Sequence, residues 1–324
     1  MNARTKCLVL RPGALGDAIV SLPAFSLIAR ELAGLAPVLA SSPPGRRVGE
    51  LSGIFSSTRS YESPELSALF VEALGRKRVF EDVGALVAFG AAGAGEIAER
   101  ARRAGVPTAV SVDTWPQAGR GHVAEQLLQR TSEALGVDLQ LEPLETGGAA
   151  PSARDFSTPE GASLPPLDLS PDEAAWGTGN DLRLAVAPGS GSLEKCWPAR
   201  RFAQTCRLLA REHRIHTMLV LGPAEIERPE VRAAFRDIDC TVSECWSIPD
   251  LASALAACDL YLGNDSGLSH LAAWAGAEGI AVFGPTDPEV WAPLGPIEPL
   301  AMEGLTPEAL AESAAGILDS SARR

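Results

Sequence analysis

The sequence has no run of 18 uninterrupted apolar residues, no C-x-x-C pair, no cluster of histidines and only three lysines. The first absence excludes a transmembrane helix, which needs about 20 consecutive apolar residues. Residues 1–6 lead straight into a strand-like segment at 7–10, without the apolar stretch and small-residue cleavage site of a secretory signal. A cytoplasmic location is therefore expected. The six cysteines, at 7, 196, 206, 240, 245 and 258, read as reduced, mostly buried thiols, with no disulfide or metal expected of them. Lys6, Lys77 and Lys195 stand among 28 basic residues, so a lysine inside a motif is conspicuous. No Walker A pattern occurs, and the first glycine turn reads G-x-x-G rather than G-x-G-x-x-G, which argues against a nicotinamide cofactor.

What is present suits two domains. A chain of 324 residues exceeds one ordinary core, and 46% apolar with 21% charged residues is the profile of a soluble globular protein. The net charge of −13 excludes nucleic acid as a partner, because phosphate contacts need a basic footprint. It also points away from strong electrostatic docking on a membrane. The charge is uneven: residues 1–141 hold 15 basic and 14 acidic residues, and 142–324 hold 13 and 27. Arg76-Lys77-Arg78 and Arg100, Arg102 and Arg103 leave the neutral half able to accept an anionic partner.

Hydrophobic runs alternate with helical periodicity in both halves. Strands are expected at 7–11, 37–41, 85–89 and 108–112, then at 182–187, 217–221, 260–262 and 279–283. Helices are expected at 18–32, where Pro23 should kink or restart the helix, and at 122–135, stopped by Gly136. Others are expected at 199–212, at 248–257 behind a Ser247 cap, at 268–275 and at 306–318. Residues 142–182 carry six prolines and little periodicity, and read as a linker. The expected division is 1–141, a linker at 142–182, and 183–324. Strand–helix alternation implies parallel sheets with right-handed crossovers. Ligands are expected outside the carboxyl ends of the strands, in a cleft between the halves.

Four segments carry chemistry. Arg11-Pro12-Gly13-Ala14-Leu15-Gly16-Asp17 runs from strand through a glycine turn to a helix start. Asp17 reads either as a helix cap or as a carboxylate available for general base work. Pro188-Gly189-Ser190-Gly191-Ser192, followed by Lys195-Cys196-Trp197-Pro198, is a small-residue loop that invites an anion, with Lys195 adding a point charge. Gly222-Pro223-Ala224-Glu225-Ile226-Glu227 offers two carboxylates, either of which is suited to ribose hydroxyls or to plain solvation. Gly263-Asn264-Asp265-Ser266-Gly267-Leu268-Ser269-His270 places Asp265 and Ser266 at a strand–helix junction. Gly267 and Leu268 supply amides there, and His270 lies close by.

In this order, and with Phe283-Gly284-Pro285-Thr286-Asp287-Pro288 following, these motifs resemble glycosyltransferase family 9, the heptosyltransferases of lipopolysaccharide core assembly. Gly121-His122-Val123-Ala124-Glu125 is similar to the family's helix ahead of the linker. The resemblance implies an α/β protein of GT-B architecture, with two Rossmann-like doubly wound domains facing across a cleft. It implies inverting sugar transfer, heptose above all, from a nucleotide diphosphate donor such as an ADP-sugar to an envelope glycan or glycolipid. No metal and no cofactor are implied. Asp17 would be the general base, with Gly13, Gly16 and His122 on the acceptor side. Lys195, Ser266 and Gly267 would hold the diphosphate, with Ser190 and Gly191 nearby. Glu225 would meet the ribose, and Asp265 and His270 would shape the donor pocket. A monomer in peripheral contact with the inner membrane is expected. Another GT-B activity, such as a nucleotide-sugar epimerase or hydrolase, and a non-catalytic nucleotide-sugar-binding protein remain alternatives.

Overall fold

The structure, a computed structural model, describes residues 4–67, 78–90, 93–139, 164–167, 169–176 and 181–321. The chain divides into two compact units, Met1–Glu145 with Ser157–Leu167, and Thr146–Phe156 with Asp168–Arg324. Most of the expected linker at 142–182 lies outside the described residues. Of its described residues, 164–167 fall in the first unit and 169–176 in the second, where buried Trp176 donates through Nε1 to the Ala254 carbonyl at 2.9 Å.

The first unit holds β1 (Lys6–Arg11), α1 (Leu15–Ile19), α2 (Leu22–Glu31), β2 (Ala36–Ser41), α3 (Pro43–Leu51), β3 (Ser57–Ser60) and α4 (Pro64–Ser67). It continues with β4 (Val83–Phe89), α5 (Ala94–Arg103), β5 (Thr108–Val112) and α6 (Val123–Leu135). The strands pair in parallel in the order β3-β2-β1-β4-β5. Successive side chains of β1 point to opposite faces. Leu8 and Leu10 pack with Val38, Leu86 and, from α5, Ile97. Phe25 of α2 meets Phe89 at 5.6 Å in an edge-on contact. All of β4 is buried, as expected of a central parallel strand covered on both faces. Pro23 restarts the helix: it sits in the first turn of α2, after α1 has ended at Ile19.

The second unit holds β6 (Leu182–Ala187), α7 (Ala199–Leu209), β7 (Ile215–Leu221), α8 (Pro223–Ile226), α9 (Pro229–Ala233) and β8 (Cys240–Glu244). It continues with α10 (Ile248–Ala256), β9 (Leu260–Asn264), α11 (Gly267–Trp274), β10 (Gly279–Phe283), α12 (Pro288–Trp291), β11 (Ile297–Ala301) and α13 (Pro307–Ser321). Its sheet is also parallel, in the order β11-β10-β9-β6-β7-β8. This order makes β6, β9 and β10 neighbours at the centre, so the loops leaving their carboxyl ends emerge side by side. The core joins Val186, Leu219, Leu262 and Val282 of the strands to Phe202 of α7 and Leu310 of α13.

β3, β8 and β11 were not expected from the sequence, and each is an edge strand. An edge strand is flanked on one side only, so it needs less apolar patterning. β3 is four residues, Ser-Thr-Arg-Ser, with no buried side chain. The cysteines are all free, but only Cys7 and Cys206 are buried, and Cys245 just beyond edge strand β8 is exposed. The expectation of mostly buried thiols therefore holds only for positions in the sheet and helix interior. Burial pushes the Cys7 and Cys206 thiols up to about 12.

Ser247 caps α10 as the sequence predicts, its Oγ accepting from the Asp250 amide at 3.3 Å. Ser247→Ala is expected to lower stability by about 1 kcal/mol in urea unfolding. An unchanged midpoint would show that the cap contributes nothing.

Candidate active site

In the first unit, the turn after β1 carries Gly13 at φ +146°, a conformation that favours glycine. A Cβ there would also stand 2.9 Å from the Asp17 Cβ. Asp17 is the third residue of α1, and its Oδ2 accepts the Ala14 amide at 2.8 Å. Asp17 therefore does cap the helix, from the third position rather than the first. Its side chain remains 35% exposed.

Arg11 backs it. The side chain is 7% exposed; Nη2 reaches the Asp17 carbonyl at 3.3 Å and Oδ1 at 3.4 Å. Its Nε donates to Ser21 Oγ at 3.0 Å, and Ser21 Oγ donates to the Asp17 carbonyl at 2.7 Å. Burial lowers the Arg11 pKa, while the Asp17 charge and hydrogen bond act the other way. Sequence reasoning missed Arg11 and Ser21 as partners. The available signal was an arginine ending an otherwise apolar strand.

Gly16 lies within α1. His122 is buried and caps α6, its Nδ1 accepting the Ala124 amide at 3.2 Å. The Arg100, Arg102 and Arg103 cluster is not an open basic patch. Arg100 pairs with Glu96 at 3.3 Å, Arg103 with Glu99 at 3.2 Å, and Arg102 also with Glu99. Helical spacing of three and four residues sets these side chains next to one another. Arg76 and Lys77 lie outside the described residues.

In the second unit, the loops after β6, β9 and β10 meet at Asn264 and Asp265. Asn264 is fully buried; its Oδ1 accepts the Trp197 amide at 2.9 Å and its Nδ2 donates to the Pro188 carbonyl at 2.8 Å. Ser190 Oγ donates to the Asp265 carbonyl at 2.6 Å. The Asp265 carboxylate is 6% exposed and accepts from Lys195 Nζ at 2.8 Å and Thr286 Oγ1 at 2.5 Å, both on Oδ2. Lys195 follows directly on the loop, in a short 3-10 turn (Leu193–Lys195), and is 32% exposed.

Ser266 is the N-cap of α11 but makes no side-chain cap bond. The Gly267 and Leu268 amides thus belong to the unsatisfied set at a helix start, where the dipole favours an anion. His270 is buried on the fourth residue of that helix. Tyr261 OH lies 3.1 Å from Ser269 Oγ, within hydrogen-bond reach. The structure thus brings Ser190, Lys195, Asp265, Ser266 and Gly267 to one sheet edge. Thr286 and Asn264 were not singled out as site residues, although both lie inside quoted motifs.

Glu225 is buried, and Glu227 is exposed. Glu225 Oε2 accepts the Gly222 amide at 3.0 Å and Oε1 accepts from Arg228 Nη2 at 2.9 Å. A Cβ on Gly189 would fall 2.1 Å from the Glu225 Cδ, so the loop rests directly on this carboxylate. Gly191 is exposed in open space. The glycine that the packing requires is therefore Gly189, which the sequence reading did not single out. A cavity of about 520 Å³ opens alongside, lined by Leu221, Glu225, Ile226, Arg228, Arg232 and Glu244. Asp237, on the loop before β8, binds Arg207 through both oxygens, at 2.9 and 2.5 Å.

Two parallel α/β units, the second with a small-residue loop and a helix start at its strand ends, have the GT-B fold. A family model, glycosyltransferase family 9 (heptosyltransferase), matches residues 111–305, more than half of the chain. The chain belongs to this family. It is 31% identical over 111 residues to lipooligosaccharide heptosyltransferase 2 of Campylobacter jejuni, covering 32% of this chain and 34% of that protein, about a third of the relative's length. A family 9 glycosyl transferase from Veillonella parvula shares the fold with a TM-score of 0.75 at 16% identity, over 99% of each chain. The ADP-heptose LPS heptosyltransferase II of E. coli does so with a TM-score of 0.74 at 16% identity, over 98% of this chain and 100% of that one.

Asn264→Ala removes partners from a buried amide and a buried carbonyl. The expected loss is about 2–4 kcal/mol in denaturant unfolding. A loss below about 1 kcal/mol would show that the two loops are held by other contacts.

Proposed function

We propose that this protein is an inverting sugar transferase that moves a heptose from an ADP-linked donor to a lipopolysaccharide-type acceptor. The observation that carries this reading is the convergence of Lys195, Ser190 and the α11 N-terminus on Asp265 at one sheet edge. That arrangement suits a diphosphate, whose charge grows as it leaves.

The second unit takes the donor. Lys195 and the Gly267 and Leu268 amides meet the diphosphate, and Asp265, itself held by Thr286, aims the lysine. This offsets the leaving group's charge without calling on a metal. The buried Glu225 is the ribose contact in this reading rather than exposed Glu227, because it adjoins the loop and each carboxylate oxygen has a further lone pair. The cavity beside it gives room for the nucleoside. His270, on the same helix, borders the reacting sugar.

The first unit takes the acceptor, with Gly13, Gly16 and His122 in the elements around its site. Asp17 accepts the proton of the acceptor hydroxyl. The oxygen attacks the anomeric carbon opposite the diphosphate, the carbon–oxygen bond to the diphosphate breaks, and the configuration inverts. The nucleotide sugar is the substrate and no cofactor is needed. We place the enzyme, acting as a monomer, at the cytoplasmic face of the inner membrane, where nucleotide sugars and nascent glycolipids coexist. Among the described residues, no helix is long and apolar enough to cross a membrane.

Asp17→Ala is expected to cut transfer from ADP-heptose to deacylated core oligosaccharide by about 10²–10⁴-fold while leaving ADP affinity unchanged. Near-normal transfer would remove Asp17 as the base. Lys195→Ala is expected to weaken ADP binding about tenfold or more in calorimetry, a charge-assisted contact being lost. Unchanged affinity would remove its phosphate role. Donor consumption without any acceptor would favour a hydrolase or epimerase.

A further inference from the structure

We propose that Trp115 is a stacking platform for a sugar ring of the acceptor, a role that rests on the first unit taking the acceptor. Trp115 is 75% exposed, and no other large apolar side chain described in this unit is exposed. It lies in the loop that follows β5. Strand register sets Leu10 level with Ala88, and Ala88 level with Ser111. The turn leading into Asp17 of α1 and the loop carrying Trp115 therefore rise from the same edge of one sheet. Two strand spacings, about 10 Å, separate the ends of β1 and β5. An oligosaccharide bridges that distance readily.

The loop is held in shape, which a tryptophan left outside by accident would not require. The Trp115 amide donates to Asp113 Oδ1 at 3.0 Å. Arg130 Nη1 donates to the Asp113 and Trp115 carbonyls at 2.9 and 2.8 Å. Gln126, 4% exposed, accepts the Gln117 amide at 2.8 Å and donates to the Gln117 and Gly121 carbonyls at 3.1 and 2.9 Å. Arg130 Nη2 closes the network on Gln126 Oε1 at 3.0 Å. Two side chains of α6 thus fix the backbone on both sides of the indole.

A rigid aromatic presents a large contact area while losing little conformational entropy on binding. The ligand chemistry follows from the surroundings. Asp113, Gln117 and Arg120, on the same loop, are all exposed and polar. A single exposed apolar face on a loop of polar residues does not match a protein interface, which needs a wider apolar patch. It does match a pyranose, which has a face of C–H groups and a rim of hydroxyls.

The test uses the full chain with deacylated lipopolysaccharide inner-core oligosaccharide as probe, and ADP as a separate probe of the second unit. Wild type is expected to bind the oligosaccharide with a blue shift in tryptophan emission. Trp115→Ala is expected to weaken that binding about tenfold and remove the shift, with ADP affinity and melting temperature unchanged. Trp115→Phe, which keeps an aromatic face, is expected to retain binding within about threefold. Arg130→Ala, which releases the loop but keeps the indole, is expected to weaken binding as well. Oligosaccharide affinity unaltered in Trp115→Ala overturns the proposal. So does a wild-type protein that binds ADP but not the oligosaccharide. Failure to bind ADP would instead strike at the transferase reading itself.

Discussion

The carboxylate of Asp265 is the point on which the second unit's site depends. A buried carboxylate is costly unless paired and hydrogen-bonded. Here Lys195 supplies the pairing and Thr286 a hydrogen bond, so loops after β6, β9 and β10 are drawn to one residue. Asn264, next in the chain, does the same for the backbone by clamping Pro188 and Trp197. Residues separated by 70 positions or more in sequence become neighbours because β6, β9 and β10 are adjacent in the sheet. In the proposed reading, a preorganised cluster of this kind need not reorganise when the diphosphate arrives.

The two units repeat one local device. Asp17 and Glu225 each occupy the third position of a short helix that follows a strand and a glycine turn. Each accepts the amide of its own N-cap residue, and each is backed by an arginine, Arg11 or Arg228. In each case a glycine lies against the carboxylate, Gly13 or Gly189, leaving no room for a Cβ. The capping and functional readings of these residues therefore do not compete. The cap fixes the rotamer, and a fixed rotamer is what a base or a ribose contact requires.

Much of this was legible in the chain itself. The central strands announced themselves as short apolar runs because parallel strands are covered on both faces. The edge strands β3, β8 and β11 did not, since a strand flanked on one side needs less apolar surface. The motif segments were legible because glycine turns and strand–helix junctions are local features. Arg11, Thr286 and Arg228 were hidden because an arginine or threonine declares no partner in sequence. The Arg100–Arg103 run misled for the opposite reason: its neutralising glutamates sit a helical turn away, and only helix geometry makes them partners.

By itself the sequence determined the fold class, the family and the segments that carry chemistry, because alternation, glycine turns and motif order are one-dimensional patterns. Only the tertiary structure decided which groups meet. It set Glu225 rather than Glu227 against the loop, made Gly189 rather than Gly191 the obligatory glycine, and left Trp115 exposed on a fixed loop. The reason is physical. Burial, pairing and close approach follow from strand order and register, and neither can be read from one segment alone.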